Sequence, residues 1–94
     1  NTLPRCGPFD SNKELRNFFI DQRIISWRNK LREADSIDER VMNTINFLYY
    51  EEDYSGENAL VLFLQVLSDN KNLGDGCKHK LAKLADSLKQ EIAP

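Results

Sequence analysis

An all-α chain, folded as a compact antiparallel bundle of five or six helices, is the expectation for these 94 residues. Three observations carry it. Two Ser-x-x-Glu boxes, Ser11/Glu14 and Ser36/Glu39, stand where helices would open, each side chain able to satisfy an orphan backbone N–H near the other. The stretch Ala59 to Leu67 is apolar on all sides apart from Gln65 and meets polar residues at both ends. No other stretch offers it a partner strand, and a lone strand cannot satisfy its own backbone. A buried helix near 57–69, at the centre of the bundle, is the reading that remains.

The elements follow in order. Residues 1–9 contain Pro4, Gly7 and Pro8 and are expected as an extended linker or lead-in. Residues 10–94 are expected as a single helical domain. Ser11 opens the first helix, with Leu15, Phe18 and Phe19 at helical spacing and Phe9 placed to staple the turn. Asp21 is the expected cap of a second helix, whose face carries Ile24, Trp27, Arg28 and Leu31. Ser36 opens a third, with Ile37, Val41, Ile45 and Leu48 in register, flanked by Met42 and Phe47. Tyr49 to Gly56 is acidic apart from its tyrosines, with a loop near Asp53–Gly56. After the apolar helix, Asn70 to Gly76 reads as a turn, with glycines available for positive φ and Asp75 as a cap. The last helix has the stripe Cys77, Leu81, Leu84, Ala85, Leu88 and Ile92, with Lys78, Lys80, Lys83, Asp86 and Lys89 turned to water. A sixth, short helix has room in one of the longer joints.

Composition excludes several classes. With 40% hydrophobic residues and a net charge of -2, the chain is not of the disordered kind. No apolar run approaches the ~20 residues of a membrane span. The first residue is Asn1 rather than Met and no signal-peptide pattern is present, so a fragment of a longer protein is expected.

The chemistry-bearing residues are sparse. Cys6 and Cys77 are expected as reduced thiols in a cytoplasmic protein, since a bridge would require their Cα atoms within ~7 Å. Cys77, His79 and at best Cys6 fall short of the four ligands of a structural zinc site. On a helix, Cys77 and His79 do not face each other. Nucleophile-elbow, P-loop, dinucleotide and zinc-protease strings do not occur. No catalytic, metal or cofactor-binding residue is therefore assigned, and no enzyme activity is expected. Short connections also leave no room for a deep ligand pocket of ~300 Å³.

Ordered strings point further. They are Phe9-Asp10-Ser11 with Glu14-Leu15-Arg16; Asp21 to Ile24 with Trp27-Arg28-Asn29, Leu31 and Glu33 to Ser36; Glu57 to Val61 with Leu64 and Val66-Leu67; and Leu73-Gly74-Asp75 with Lys80-Leu81-Ala82 and Leu84-Ala85. Together, from Phe9 to about Leu88, they resemble the bacterial effector-associated domains, adaptor modules of the death-like superfamily of helical bundles. The resemblance implies a non-catalytic adaptor at the end of a larger signalling or conflict-system protein, recruiting a partner with a similar domain. It carries over no binding residue.

Charge supplies candidate surfaces. Asn1 to Tyr50 has eight basic and seven acidic residues; Glu51 to Pro94 has five and eight. A basic patch of Arg23, Arg28, Lys30 and Arg32 and an acidic patch of Glu51, Glu52, Asp53 and Glu57 are the expected partner-binding residues. Opposed patches permit head-to-tail pairing with a like domain, and hence a homo-oligomer. Trp27 is expected in the core, with an interface anchor as the alternative. Of Tyr49, Tyr50 and Tyr54, at least one ring is expected to pack and one to be exposed. The competing functions are nucleic-acid binding, through Lys78, Lys80, Lys83 and Lys89, and simple self-oligomerisation. The acidic balance weighs against nucleic acid, whose affinity comes mainly from phosphate neutralisation.

Overall fold

Helix starts fall where the capping side chains stand. In the computed structural model, which describes residues 2–69 and 74–92, Ser11 Oγ accepts from Glu14 N–H at 3.0 Å and Ser36 Oγ from Glu39 N–H at 3.2 Å. Asn58 Oδ1 takes both Leu60 N–H, at 2.9 Å, and Val61 N–H, at 3.2 Å. The helices are α1 (Thr2–Cys6), α2 (Asn12–Phe18), α3 (Ile37–Tyr49), α4 (Ala59–Ser68) and α5 (Asp75–Ile92), with a 3-10 helix at Ile25–Lys30 between α2 and α3. No strand is present among the described residues beyond one isolated bridge, Glu52 to Asn58.

The apolar run is the buried central helix that was expected. All eight of its apolar residues, Ala59 to Leu64 with Val66 and Leu67, are buried. Phe63 stands at the middle of an aromatic cluster, with ring centroids 6.1 Å from Phe9, 5.6 Å from Phe18 and 5.3 Å from Phe19. Two of these contacts are edge-on and one is stacked, the geometries that ring quadrupoles favour. Leu15, Ile24, Trp27, Val41, Leu48, Leu81 and Ala85 close the core from the other elements. The radius of gyration, 12.4 Å, is that of a chain packed around one core.

Several local expectations are corrected. Residues 2–6 are a helix, not an extended lead-in, and Leu3, Cys6 and Phe9 are buried with the core. Pro4 is compatible because it lies in the first turn, where backbone N–H groups have no intrahelical partner. The sixth helical element is thus at the start of the chain rather than in a joint. The second expected helix is a 3-10 helix, and Asp21 bonds Arg23 N–H at 2.9 Å in a local turn instead of capping an α-helix. Asp75 and Gly76 lie inside α5, and Lys78 N–H reaches Gly74 O at 3.1 Å. The expected turn at 70–76 otherwise falls on residues 70–73, outside the described residues.

The thiol expectation is overturned as well. Cys6 and Cys77 are joined by a disulfide, with their Cα atoms 5.6 Å apart. Folding brings α1 against the start of α5, and a separation of 71 residues along the chain hides that approach from any local pattern.

Candidate functional site

The acidic segment is a built loop, not a solvated charge run. Asp53 Oδ1 accepts from Ser55 N–H at 2.9 Å, Ser55 Oγ at 2.7 Å and Glu57 N–H at 2.9 Å. The backbone closes behind it: Asp53 N–H donates to Glu57 O and Ala59 N–H to Glu51 O, each at 2.9 Å. Gly56 supplies the positive φ, 88°, that the turn requires. Asn58, while capping α4, donates from its side-chain nitrogen to Tyr49 O at 2.8 Å. Asp53 is spent on this scaffold, and the hydroxyl of Ser55, followed by the backbone N–H groups, holds its carboxyl below the ordinary value of 3.8. Glu52 is exposed, whereas Glu51 and Glu57 are half-buried.

Aromatic rings surround these carboxylates. Tyr54 is 103% exposed, Tyr50 80% and Tyr49 44%. None of the three enters the core; Tyr49 and Tyr50 pack edge-on against each other, centroids 5.1 Å apart. The expected exposed ring is present three times over, whereas the expected packed ring is not: all three are exposed.

The four basic residues are held in different ways. Arg23 is bound up in ion pairs with Asp21 at 3.1 Å and Asp69 at 2.9 Å, which raise its affinity for the proton and lower that of Asp21. Arg28 turns back to donate from Nε to Arg16 O at 3.2 Å. Lys30 and Arg32 make no ion pair among the described residues and line a concavity with Asn43 and Asn46 of α3.

A cleft of about 530 Å³ joins the two predicted groups. Arg23, Ser26 and Lys30 contribute from the side of the 3-10 helix, and Glu51, Glu52, Asp53 and Tyr54 from the loop. Trp27 lines it too while remaining 4% exposed, which is the core placement expected of it. Its volume exceeds what short connections were expected to leave, but its lining is mainly polar and charged, unlike the apolar pockets that enclose small molecules. Part of the basic set and most of the acidic set thus face one another. Local charge counting had no way to find this, because the chain between Lys30 and Glu51 doubles back through α3. Lys80, Lys83 and Lys89 of α5 are exposed, and Lys89 shares a concavity with Glu52 and Glu57.

Among the described residues no three His, Cys, Asp or Glu side chains come together as a metal site. None of the described helices is long and apolar enough to cross a membrane. A family model described as Bacterial Death-like domain 1 matches residues 1–92. Comparison with curated proteins and with solved structures gives no match.

Proposed function

The chain belongs to the bacterial Death-like domain 1 family, and from that premise we propose that it is a non-catalytic adaptor recruiting a similar helical domain. It serves a larger bacterial signalling or conflict-system protein, in the cytoplasm. The observation that carries this reading is the acidic, aromatic loop. Tyrosines exposed beside carboxylates combine apolar area, hydrogen-bonding capacity and a cation-attracting ring face. The turn that holds them is fixed by hydrogen bonds before any partner arrives, so little ordering entropy is lost on binding. Arg28, Lys30 and Arg32 are the basic counterpart on the recruited domain when that domain is a second copy. Arg23, held by Asp21 and Asp69, supports the surface rather than supplying a free charge.

The contact is heterologous, one copy's loop against the next copy's basic side, and such contacts extend into chains unless they close into a ring. Sedimentation velocity of the 94-residue chain at low and physiological salt tests it. Wild type is expected to associate, more strongly at low salt. Glu51→Lys/Glu52→Lys and Arg28→Glu/Arg32→Glu are each expected to remain monomeric alone. Mixed in equal amounts they are expected to give dimers and no larger species, because each retains one intact face. A wild type that stays monomeric at both salts removes the like-domain contact, and double variants that associate as wild type does remove these residues from it.

A further inference from the structure

We propose that the Cys6–Cys77 disulfide is a redox latch: it holds α1 on the bundle, and its reduction releases residues 2–6 while the rest of the fold persists. This inference does not depend on which partner the domain recruits. The bond joins the last residue of α1 to the first turn of α5. A five-residue helix cannot sustain itself in water, so α1 exists only through its attachments. Among the α1 side chains that are described, the buried one besides Cys6 is Leu3, which lines a groove with Ile45, Leu60, Leu64 and Leu88. One leucine is a small return for ordering five residues, and the covalent tie makes the difference.

The release has a natural limit. Immediately after the Gly7-Pro8 joint, Phe9 is fully buried against Phe63, and its carbonyl accepts from the Arg40 guanidinium at 3.1 Å. The chain is therefore pinned at Phe9 and tied at Cys6, and the half-buried Gly7-Pro8 joint between them is where release would bend the chain. Reduction is also accessible. Cys77 is only half-buried, whereas Cys6 is buried, and Lys78 and Lys80 beside it attract an anionic thiolate. A dithiol reductant attacks Cys77 Sγ and Cys6 Sγ leaves as the thiolate. The reductant's second thiol then displaces Cys77. The reductant ends as its own disulfide, both cysteines end as thiols, and two electrons and two protons have been transferred. Once α1 swings away, Leu60, Leu64, Ile45 and Leu88 lose their cover.

Hydrogen exchange read by mass spectrometry, on the full chain with and without dithiothreitol, tests the latch. Reduction is expected to speed exchange of the amides that the α1 fold protects, Gly7 N–H on Leu3 O above all, by about tenfold or more while leaving α3 and α4 protected. The Cys6→Ser/Cys77→Ser variant without reductant should reproduce the reduced pattern; if that variant does not fold, the wild-type comparison still decides. Unchanged exchange in residues 2–7 would mean that packing alone holds α1, and loss of protection throughout would mean that the bond is a staple for the whole fold. Either result overturns the proposal, as does a bond that dithiothreitol fails to reduce.

Discussion

Arg40 carries a full charge into the wall of the bundle. It is 9% exposed, and its side-chain hydrogen bonds among the described residues all go to one short stretch of chain: Nε to Asn12 Oδ1 at 2.9 Å, and one terminal nitrogen to Phe9 O at 3.1 Å and Asp10 O at 3.3 Å. Asn12 Oδ1 also accepts from Ala34 N–H at 3.0 Å, so a single guanidinium ties the start of α2, the segment before it and the entry to α3. Arg40→Ala is expected to cost about 2–4 kcal/mol in urea unfolding, because the Phe9 and Asp10 carbonyls would lose the guanidinium and Asn12 Oδ1 would keep only Ala34 N–H. Arg40→Lys should recover only part of that, since an ammonium cannot reproduce the planar fork. The sequence showed Arg40 only as one more charge on a helix. Its spacing to Thr44 and Leu48 places it on the buried face, but no residue pattern announces that an amide oxygen 28 positions away and backbone carbonyls 30 and 31 positions away will be waiting there.

At the scale of elements, what was legible is what is local. The capping boxes are contained within four residues each, and the central helix within one apolar run, so both could be read directly. The 3-10 helix was read as α-helical because spacings of three, such as Ile24 to Trp27, share a face in either form. Helix α1 was missed because Pro4, Gly7 and Pro8 read as breakers, whereas the first turn tolerates proline and tertiary attachment does the rest. The acidic loop was found by charge, but its rigidity was not, since it depends on which oxygen each N–H meets. Asn58→Ala tests that rigidity. It removes the α4 cap and the tie to Tyr49 O together, and is expected to cost about 1–2 kcal/mol in thermal or urea unfolding. Asp53 gives the loop a pH dependence whose sign follows from its lowered folded pKa. Its contribution is complete above the ordinary value of 3.8 and disappears as pH falls through the lower folded value, where the carboxyl takes up its proton. Amide shifts of Ser55 and Glu57 should therefore move together in acid. Asp53→Asn, which keeps a neutral oxygen acceptor, should flatten that response.

For the molecule as a whole, the disulfide sets how much stability depends on redox state. It closes a separation of 71 residues, and the loop-entropy relation assigns such a closure about 4 kcal/mol through restriction of the unfolded chain. A domain of 94 residues is expected to have roughly 5–14 kcal/mol in total. Reduction therefore removes a large share without removing all of it, which is the condition a released α1 on an otherwise folded bundle requires. The bundle has the means to survive: the Phe63 cluster, the α4–α5 packing through Leu81 and Ala85, and the Arg40 anchor all lie beyond the tether. Urea unfolding of the oxidised and reduced chain should show the midpoint falling by roughly 1–4 M, given the slopes usual for small domains. The slope carries two opposed contributions: an unfolded chain freed of the bond exposes more surface and raises it, while a native state with α1 already detached has less apolar surface left to expose and lowers it. A slope that simply rises would leave the bond acting on the unfolded chain alone, with α1 still docked in the reduced protein.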